Sequence, residues 1–421
     1  MTEPPSRWTL VSRPFEHRNY RLFFAGQLVS LVGSWTQSVA QSWLVYRLTG
    51  SPLWLGIVAF CQQAPVFVLA TLGGSVADGV SRRSVLVVTQ ATAMMLAFTL
   101  AALTLTGVVG VGQILLLATL LGAVNAVDIP TRQSFTVEMV GRDHLMNAVA
   151  LNSSMVNGAR ILGPAIAGFA ITAFGEGWCF LLNGISFVAV IAGLLAMRDL
   201  PGPVGEAKSE SMHAGVLAGF RFAAAERRVR AVLALFAVTA VSAIPHSTLM
   251  PIFAAQVFHG DGRTLGWLMG ATGAGALLGA LTLASREHVE HTLHWIGGAC
   301  FVFGTMVVLF ALSKTLWLSL LLLVPLGGAM MIQLSATNTL LQTLTPDALR
   351  GRVIAIWAMI FTGFAPVGSI VAGSLAAAVG PSRTLVASGG VCACAALVFA
   401  RWLSKTQSSN ESAPSGSSGA E

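Results

Sequence analysis

Charged side chains are scarce in this chain. Only 10% of its 421 residues are Asp, Glu, Lys or Arg, whereas about 25% is usual in a soluble domain, whose surface has to stay hydrated. Hydrophobic residues make up 55% of the chain and the mean hydropathy is +0.75. This composition excludes a string of soluble cores and predicts that most of the chain is surrounded by lipid.

The motifs of several enzyme and pump classes are missing as well. The only lysines are Lys208, Lys314 and Lys405, and none lies in the Gly-rich G-x-x-x-x-G-K-[ST] loop that holds nucleotide phosphates. No H-E-x-x-H helix, Ser/His set or pair of acids at one membrane depth is evident. The five cysteines lack zinc-ligand spacing, and the histidines near 286–294 fall in an expected hydrated turn. We therefore expect no enzyme, no nucleotide, no cofactor and no metal site.

Long apolar runs occupy most of the chain. A helix needs about 20 apolar residues to cross a bilayer, and twelve such runs are present. An all-α polytopic membrane protein with twelve transmembrane helices is predicted. Its helices are expected at 20–47, 53–76, 84–106, 112–131, 147–174, 178–197, 231–253, 264–285, 293–312, 316–340, 353–379 and 382–402.

The positive charges indicate the orientation of these helices. Nineteen of the 24 Lys and Arg residues fall on the side of the N-terminus, four fall on the other side, and Arg160 lies within a run. Loops that stay in the cytoplasm are enriched in Lys and Arg, so both termini are expected to be cytoplasmic. The first 19 residues lack the apolar core of a signal peptide, so the first helix is expected to stay in the membrane. The net charge of +7 then reflects topology, and no nucleic-acid partner is expected.

The longest polar connection, 198–230, divides the runs six and six. We expect a short N-terminal segment at 1–19, six-helix halves at 20–197 and 231–402, and a disordered tail at 403–421. The end of the connection is basic, and its composition predicts a helix on the membrane surface. The segment with Gly163 and Gly168 resembles the one with Gly368 and Gly373, about 205 residues later, which indicates two parallel six-helix repeats.

A charged turn is expected between the second and third helices. It contains Gly74, Asp78, Arg82 and Arg83 and resembles the G-x-x-x-D-R-x-G-R-R signature of the major facilitator superfamily, with departures at Gly79 and Ser81. The resemblance implies the twelve-helix major facilitator fold. By the same resemblance, Asp128 in the fourth helix pairs with Arg82, and the set Gly74, Asp78, Arg82, Arg83 and Asp128 forms a gate.

The fifth helix contains the second motif: Gly158, Arg160, Gly163, Pro164 and Gly168. It resembles the G-P signature of exporters and antiporters in the same superfamily. Small residues at i, i+4 spacing allow close helix packing, and the proline frees a backbone carbonyl.

Further segments resemble one bacterial exporter branch of this superfamily, which includes the enterobactin exporter and macrolide efflux proteins. They are R-P-F-x-x-R-N-Y-R-L-F (13–23), N-A-V-D-I-P-T-R-Q (125–133) and N-A-x-x-L-N (147–152). The resemblance covers nearly all of residues 13–400. It implies export of amphipathic organic molecules, such as drugs or siderophores, against proton entry in a bacterial inner membrane.

Ionisable residues within lipid are costly and usually face a partner or a wet cavity. Arg160 stays protonated, so its expected role is to hold either a carboxylate of the protein or an anionic substrate. Asp128 and His246 are the candidates for proton coupling. A structural pairing of Arg160 and simple packing of His246 remain the alternatives.

Polar and aromatic residues also occur on the helices expected to line a central cavity. The candidates are Trp35, Gln37, Gln41, Gln62, Asn125, Asn157, Arg160, Gln333, Asn338 and Trp357. The expected function is proton-coupled export by a monomeric carrier whose partners are lipid, protons and a small-molecule substrate. Import of a small metabolite, or a non-transporting scaffold or sensor, are the alternatives.

Overall fold

The computed structural model describes residues 13–77, 81–141, 143–198, 212–284 and 292–411, and the side chains of 70–77, 212–216, 284 and 407–411 are not described. After a 3₁₀ turn (Arg13–Glu16), the N-terminal half comprises α1 (Arg18–Thr49), α2 (Pro52–Ala77), α3 (Arg82–Leu105), α4 (Val111–Val140), α5 (Leu145–Phe174) and α6 (Glu176–Leu195). The connecting helix is α7 (Met212–Ala225). The C-terminal half comprises α8 (Arg227–Ser242), α9 (His246–Ile252), a π-helical turn (Phe253–Val257), α10 (Gly262–Ala284), α11 (Thr292–Leu312), α12 (Leu316–Leu344), α13 (Asp347–Val379) and α14 (Pro381–Glu411).

Eleven spans of the described chain are long and apolar enough to cross a membrane, and α8, α9 and the π-helical turn together form one of them. Two described helices lie outside this set: the connecting helix α7, which has only 14 residues, and α1, although it has 32 residues. The second case is explained by the composition of α1. The polar residues Gln27, Gln37 and Gln41 lower the mean hydropathy of α1. They are buried inside the protein and are therefore not exposed to lipid. Since α1 packs against α5 and α6 within the bundle, the fold has the twelve membrane helices expected from the sequence.

Two helices run further than their apolar runs. α4 continues to Val140, past the predicted end at 131, because Arg132 and Glu138 leave the apolar run but form ion pairs with neighbouring side chains. α14 continues to Glu411, past the predicted end at 402. The predicted surface helix at the end of the middle connection is α7, which packs against α13, but Arg227, Arg228 and Arg230 of that connection already belong to α8.

The seventh span is interrupted, whereas the sequence predicted one helix at 231–253. α8 ends at Ser242 and α9 begins at His246. Pro245 has no backbone N–H and cannot continue the hydrogen-bond ladder. Because of the break, the Ala243 carbonyl oxygen forms a hydrogen bond with the ring of His246, whose Nδ1 lies 2.8 Å away.

The two halves repeat one packing scheme. Gly163 of α5 packs on α1, and Gly168 of the same helix packs on α10. In the second half, Gly368 of α13 packs on α8, and Gly373 packs on α2. The first glycine of each pair therefore joins helices within a half and the second joins the two halves, as the internal repeat suggests.

We call the membrane surface at the start of α1 the terminal face and the other surface, at the start of α2, the opposite face. Contacts between the halves run from Arg160 in the middle of α5 to Ile171, which packs on Gly262. Contacts between α2 and α13 likewise run from Phe67 with Gly363 to Pro52 with Gly373. These contacts occupy the part of the protein between its middle and the opposite face, so the structure is closed on that side.

Candidate substrate cavity and gates

A cavity of about 380 Å³ lies between the halves, within the usual range for a drug-sized ligand. Its N-terminal wall comes from α1, α2 and α5, and its C-terminal wall from α8, α9, α10, α12 and α13. We call it the central cavity. The close contacts on the opposite-face side form its closed end.

Arg160 is the only arginine or lysine among the described residues that line the central cavity. Its Cζ lies 5.2 Å from the centroid of the Trp35 ring, a cation–π distance. Its Nε is buried and has no hydrogen-bond partner in the described part of the chain. A guanidinium can donate five hydrogen bonds, so this side chain retains unused donors beside the cavity.

The backbone around Arg160 explains why its side chain is held there. Pro164 lacks the N–H that would bond the Arg160 carbonyl in a regular helix. Gly273 of α10 packs on this carbonyl, and a Cβ at that position would lie 2.8 Å from the oxygen. Trp35, against which the guanidinium stacks, is itself seated on Gly163. The G-P motif therefore positions Arg160 between the two halves.

His246 lines the central cavity from the other half. A carbonyl oxygen only accepts hydrogen bonds, so the 2.8 Å contact with Ala243 places the hydrogen of the neutral ring on Nδ1. Nε2 is then the acceptor, and it is buried with no partner in the described residues. Phe303 contacts the ring edge to face, at 5.6 Å between centroids. A proton arriving at His246 would bind Nε2.

The remaining wall of the central cavity is uncharged. None of its described lining residues is acidic. Gln333 donates to the Thr239 hydroxyl at 2.9 Å, so the amide and the hydroxyl form one polar group on the C-terminal wall. Apolar lining residues of the same wall are Phe236, Met250, Met269, Met330 and Phe361. The wall therefore offers adaptable apolar surface with a few hydrogen-bonding groups.

A second, smaller cavity lies within the N-terminal half and has a volume of about 160 Å³. We call it the Asp128 cavity. Asp128 is 2% exposed, and its carboxylate accepts hydrogen bonds from Thr89 at 2.7 Å and Gln90 at 2.8 Å. Arg132 pairs with its other oxygen at 2.9 Å. The two cavities share the lining residues Ser38, Gln41 and Gln62, so these three polar side chains lie between them.

The gate pairing expected from the resemblance is not the one observed. Arg82 forms an ion pair with Glu138 rather than with Asp128. Arg82 begins α3 at the terminal face, and Glu138 lies near the terminal end of α4 at the same depth. Asp128 lies almost three helical turns deeper, beyond the reach of Arg82. Arg83 donates a hydrogen bond to the Leu195 carbonyl at 2.8 Å and so connects α3 to α6. Of the other motif residues, Gly74 lies within α2 and Asp78 lies outside the described residues.

The candidate cavity residues divide into three groups. Trp35, Gln41, Gln62, Arg160 and Gln333 line the central cavity. Gln37 and Asn125, together with Gln41 and Gln62, line the Asp128 cavity.

The third group, Asn157, Asn338 and Trp357, lies outside both cavities, contrary to expectation. Asn157 donates to Ser153 of its own helix at 2.9 Å, and Asn338 accepts from Gln342 of its own helix. Trp357 stacks on Phe236 at 5.7 Å and supports that wall from behind.

Several functional candidates were missed at the sequence level. Thr89 and Gln90 hold Asp128, Glu138 pairs with Arg82, and Thr239 completes the Gln333 group. Their common signal is a polar side chain on an otherwise apolar helix, which many lipid- and core-facing residues share. The motif glycine Gly158 makes no close helix contact in this structure, since a Cβ there would meet nothing within 4 Å.

Known transporters are similar to this chain along almost its full length. It is 24% identical to the staphyloferrin A transporter of Staphylococcus aureus over 381 residues, which cover 90% of this chain and 95% of that protein. It is 27% identical to the enterobactin exporter EntS of Escherichia coli over 380 residues, 89% of each chain.

Solved structures show the same fold at low sequence identity. A POT family transporter in complex with 5-aminolevulinic acid superposes with a TM-score of 0.73 and 12% identity, covering 92% of this chain and 96% of that one. The nucleoside transporter NupG gives a TM-score of 0.70 and 14% identity, covering 91% and 98%.

The family model described as "transmembrane secretion effector" matches residues 9–418. With the fold, the cavity between the halves and the transporter relatives, this match settles the class of the protein. The chain is a membrane transporter, not an enzyme, and belongs to the transmembrane secretion effector family of the major facilitator superfamily.

Proposed function

We propose that this transporter exports an amphipathic small organic molecule, of the siderophore or drug class, in exchange for protons that enter the cell. The observation that carries the proposal is the central cavity, which is closed towards the opposite face and contains an unpaired Arg160. Two rigid halves that rock about such a site give alternating access. The names of the relatives, a staphyloferrin A transporter and an enterobactin exporter, support the substrate class, and the name of the second also supports the direction.

The orientation is part of the proposal. With both termini in the cytoplasm of a bacterial inner membrane, the opposite face is external and the structure is in the state that admits substrate from inside. Reporter fusions after residues 50, 110, 176, 260, 314 and 381 should then all read as external. One cytoplasmic reading among them would contradict this orientation.

Proton coupling has two candidates in the described residues. Asp128 is separated from the central cavity by the polar side chains of Ser38, Gln41 and Gln62, and His246, which lines that cavity, has a buried Nε2 without a partner in the described residues. A scaffold or sensor would gain nothing from a buried cation without a partner, because such a charge is costly in lipid. In a carrier, the same charge provides a group that can bind the substrate. Import of a metabolite on the same fold would reverse the direction without changing the cavity.

The test uses inverted membrane vesicles that contain the transporter. A panel of siderophores and amphipathic drugs is added outside, and substrate uptake and proton release from the vesicle lumen are recorded together. We expect uptake of at least one compound that depends on the proton gradient and stops with a protonophore while ATP is maintained. Uptake that survives the protonophore but ceases on ATP depletion would replace this mechanism with a separate ATPase partner.

A further inference from the structure

The sequence left two partners open for Arg160, a carboxylate of the protein or an anionic substrate. Asp128, the most deeply buried acid of the described chain, pairs with Arg132, Thr89 and Gln90 in the other cavity. Glu138 pairs with Arg82 at the terminal face, and Glu176 with Arg47 at the opposite face. Each buried carboxylate of the described residues is therefore paired with an arginine other than Arg160. Arg160 itself forms no ion pair in the described part of the chain.

The central cavity also carries a one-sided charge. Arg160 and His246 are its ionisable lining residues in the described chain, and none of the others is acidic. A cation entering this cavity would meet the guanidinium with no carboxylate to offset the repulsion. An anion would act as the missing counter-ion and would accept hydrogen bonds from the unused N–H groups of Arg160. Hydrogen bonds between charged groups are roughly twice as strong as hydrogen bonds between neutral groups.

The two walls of the central cavity offer different contacts to a ligand. Arg160 and Trp35 stand on the N-terminal wall, whereas Met250, Met269 and Met330 line the C-terminal wall. Methionine side chains adapt to irregular apolar surfaces. A molecule with an acidic group at one end and an apolar or aromatic body at the other would fill both.

We infer that the substrate of the central cavity is an anionic amphipath, whose acidic group binds the Arg160 guanidinium beside Trp35 and whose apolar body rests on the methionine-rich wall. This inference rests on the proposed function for the idea that the cavity binds a transported molecule. It adds the charge of that molecule and excludes the lipophilic cations that many efflux carriers take.

The test is equilibrium binding to the full-length protein in lipid nanodiscs, without any gradient. The probes share one fluorophore: dansylglycine is an acid, dansylglycinamide is its neutral amide, and dansylcadaverine is an amine. We expect dansylglycine to bind about tenfold or more tightly than the amide, because it adds hydrogen bonds between charged groups, and dansylcadaverine to bind least.

Variants identify the residue responsible. Arg160→Gln should abolish the preference for the acid, Arg160→Lys should retain part of it, and Arg350→Gln, on an exposed residue paired with Asp347, should leave it unchanged. Equal affinities for the three probes, no binding of dansylglycine to the unmodified protein, or an unaltered preference in Arg160→Gln would overturn the inference.

A purely structural role of Arg160 predicts a different result. If Arg160 only held helices together, Arg160→Gln would lower the unfolding temperature of the ligand-free protein by several degrees. We expect an unchanged or higher temperature, since the variant removes a buried unpaired charge. Selective acid binding without proton-driven uptake would contradict the proposed function alone, and proton-driven uptake of cations only would contradict this inference alone.

Discussion

Two cavities meet at Ser38, Gln41 and Gln62, and each contains a buried charged side chain. In the Asp128 cavity, the carboxylate has an arginine, a threonine and a glutamine as partners. In the central cavity, the Arg160 guanidinium has an aromatic face and a buried Nε without a partner. Removing one partner of a paired buried charge destabilises the half that contains it, whereas a buried charge without a partner itself raises the free energy of the folded protein. The contrast is between a charge that the protein itself pairs and a charge that it leaves for the proposed substrate.

The largest effect is expected from truncating Arg160. Arg160→Ala should abolish substrate uptake into inverted vesicles, because the cavity loses its charged ligand, while the protein still inserts. Arg160→Lys should retain part of the rate, since an ammonium keeps the charge but loses the planar fork of the guanidinium. The amount of inserted protein, measured on the same membranes, is the control, and normal uptake by Arg160→Ala would contradict the assignment.

The next prediction concerns stability and tests the contrast directly. Asp128→Asn leaves Arg132 without its anion, and because the Arg132 side chain is 24% exposed, we expect a loss of about 1–3 kcal/mol. Arg160→Gln removes an unpaired charge and should not lower the free energy of unfolding. Unfolding of both variants in a mixed detergent series measures the difference. A loss of the same size in both would mean that the two charges are held alike.

The Arg82–Glu138 ion pair at the terminal face, which we propose as part of a gate, should affect the rate as well as the stability, because both side chains are buried. Arg82→Ala and Glu138→Gln each remove one side of the ion pair between α3 and α4, and Asp78→Asn removes the acid of the sequence motif that contains Arg82. We expect each of the three to slow uptake several-fold with near-normal expression, because the balance between the two facing states shifts. If Arg82→Ala and Glu138→Gln act on one pair, the double variant should be no slower than either single one.

The smallest effects are expected at the glycines of the G-P motif. Gly163→Ala would press a methyl group into Trp35 and α1, and such overpacking costs about 1–3 kcal/mol. Gly158→Ala meets open space and should be neutral or slightly stabilising, because alanine favours helix. Thermal unfolding of the purified variants compares them. Equal losses would show that the motif acts through helix flexibility and not through close packing.

Much of the fold follows from local features of the sequence. Each membrane helix was predictable because an apolar run of about 20 residues has to satisfy its backbone within itself. The internal repeat pointed to the packing that Gly163, Gly168, Gly368 and Gly373 share. Arg160 was identifiable because a charge in the middle of an apolar run is rare. The break before His246 was not foreseen, although Pro245 was visible, since proline in a membrane helix is often tolerated.

The sequence by itself determined the number of membrane spans, the approximate ends of most of them and the few charges among them, because length and hydropathy act residue by residue along the chain. Only the tertiary structure decided which polar groups meet. Arg82 pairs with Glu138 and not with Asp128, Asn157 bonds its own helix, and Arg160 meets no carboxylate of the described chain. These choices depend on the depth and rotation of helices that pack against one another from distant parts of the sequence, and a shift of one residue turns a side chain by about 100° around its helix.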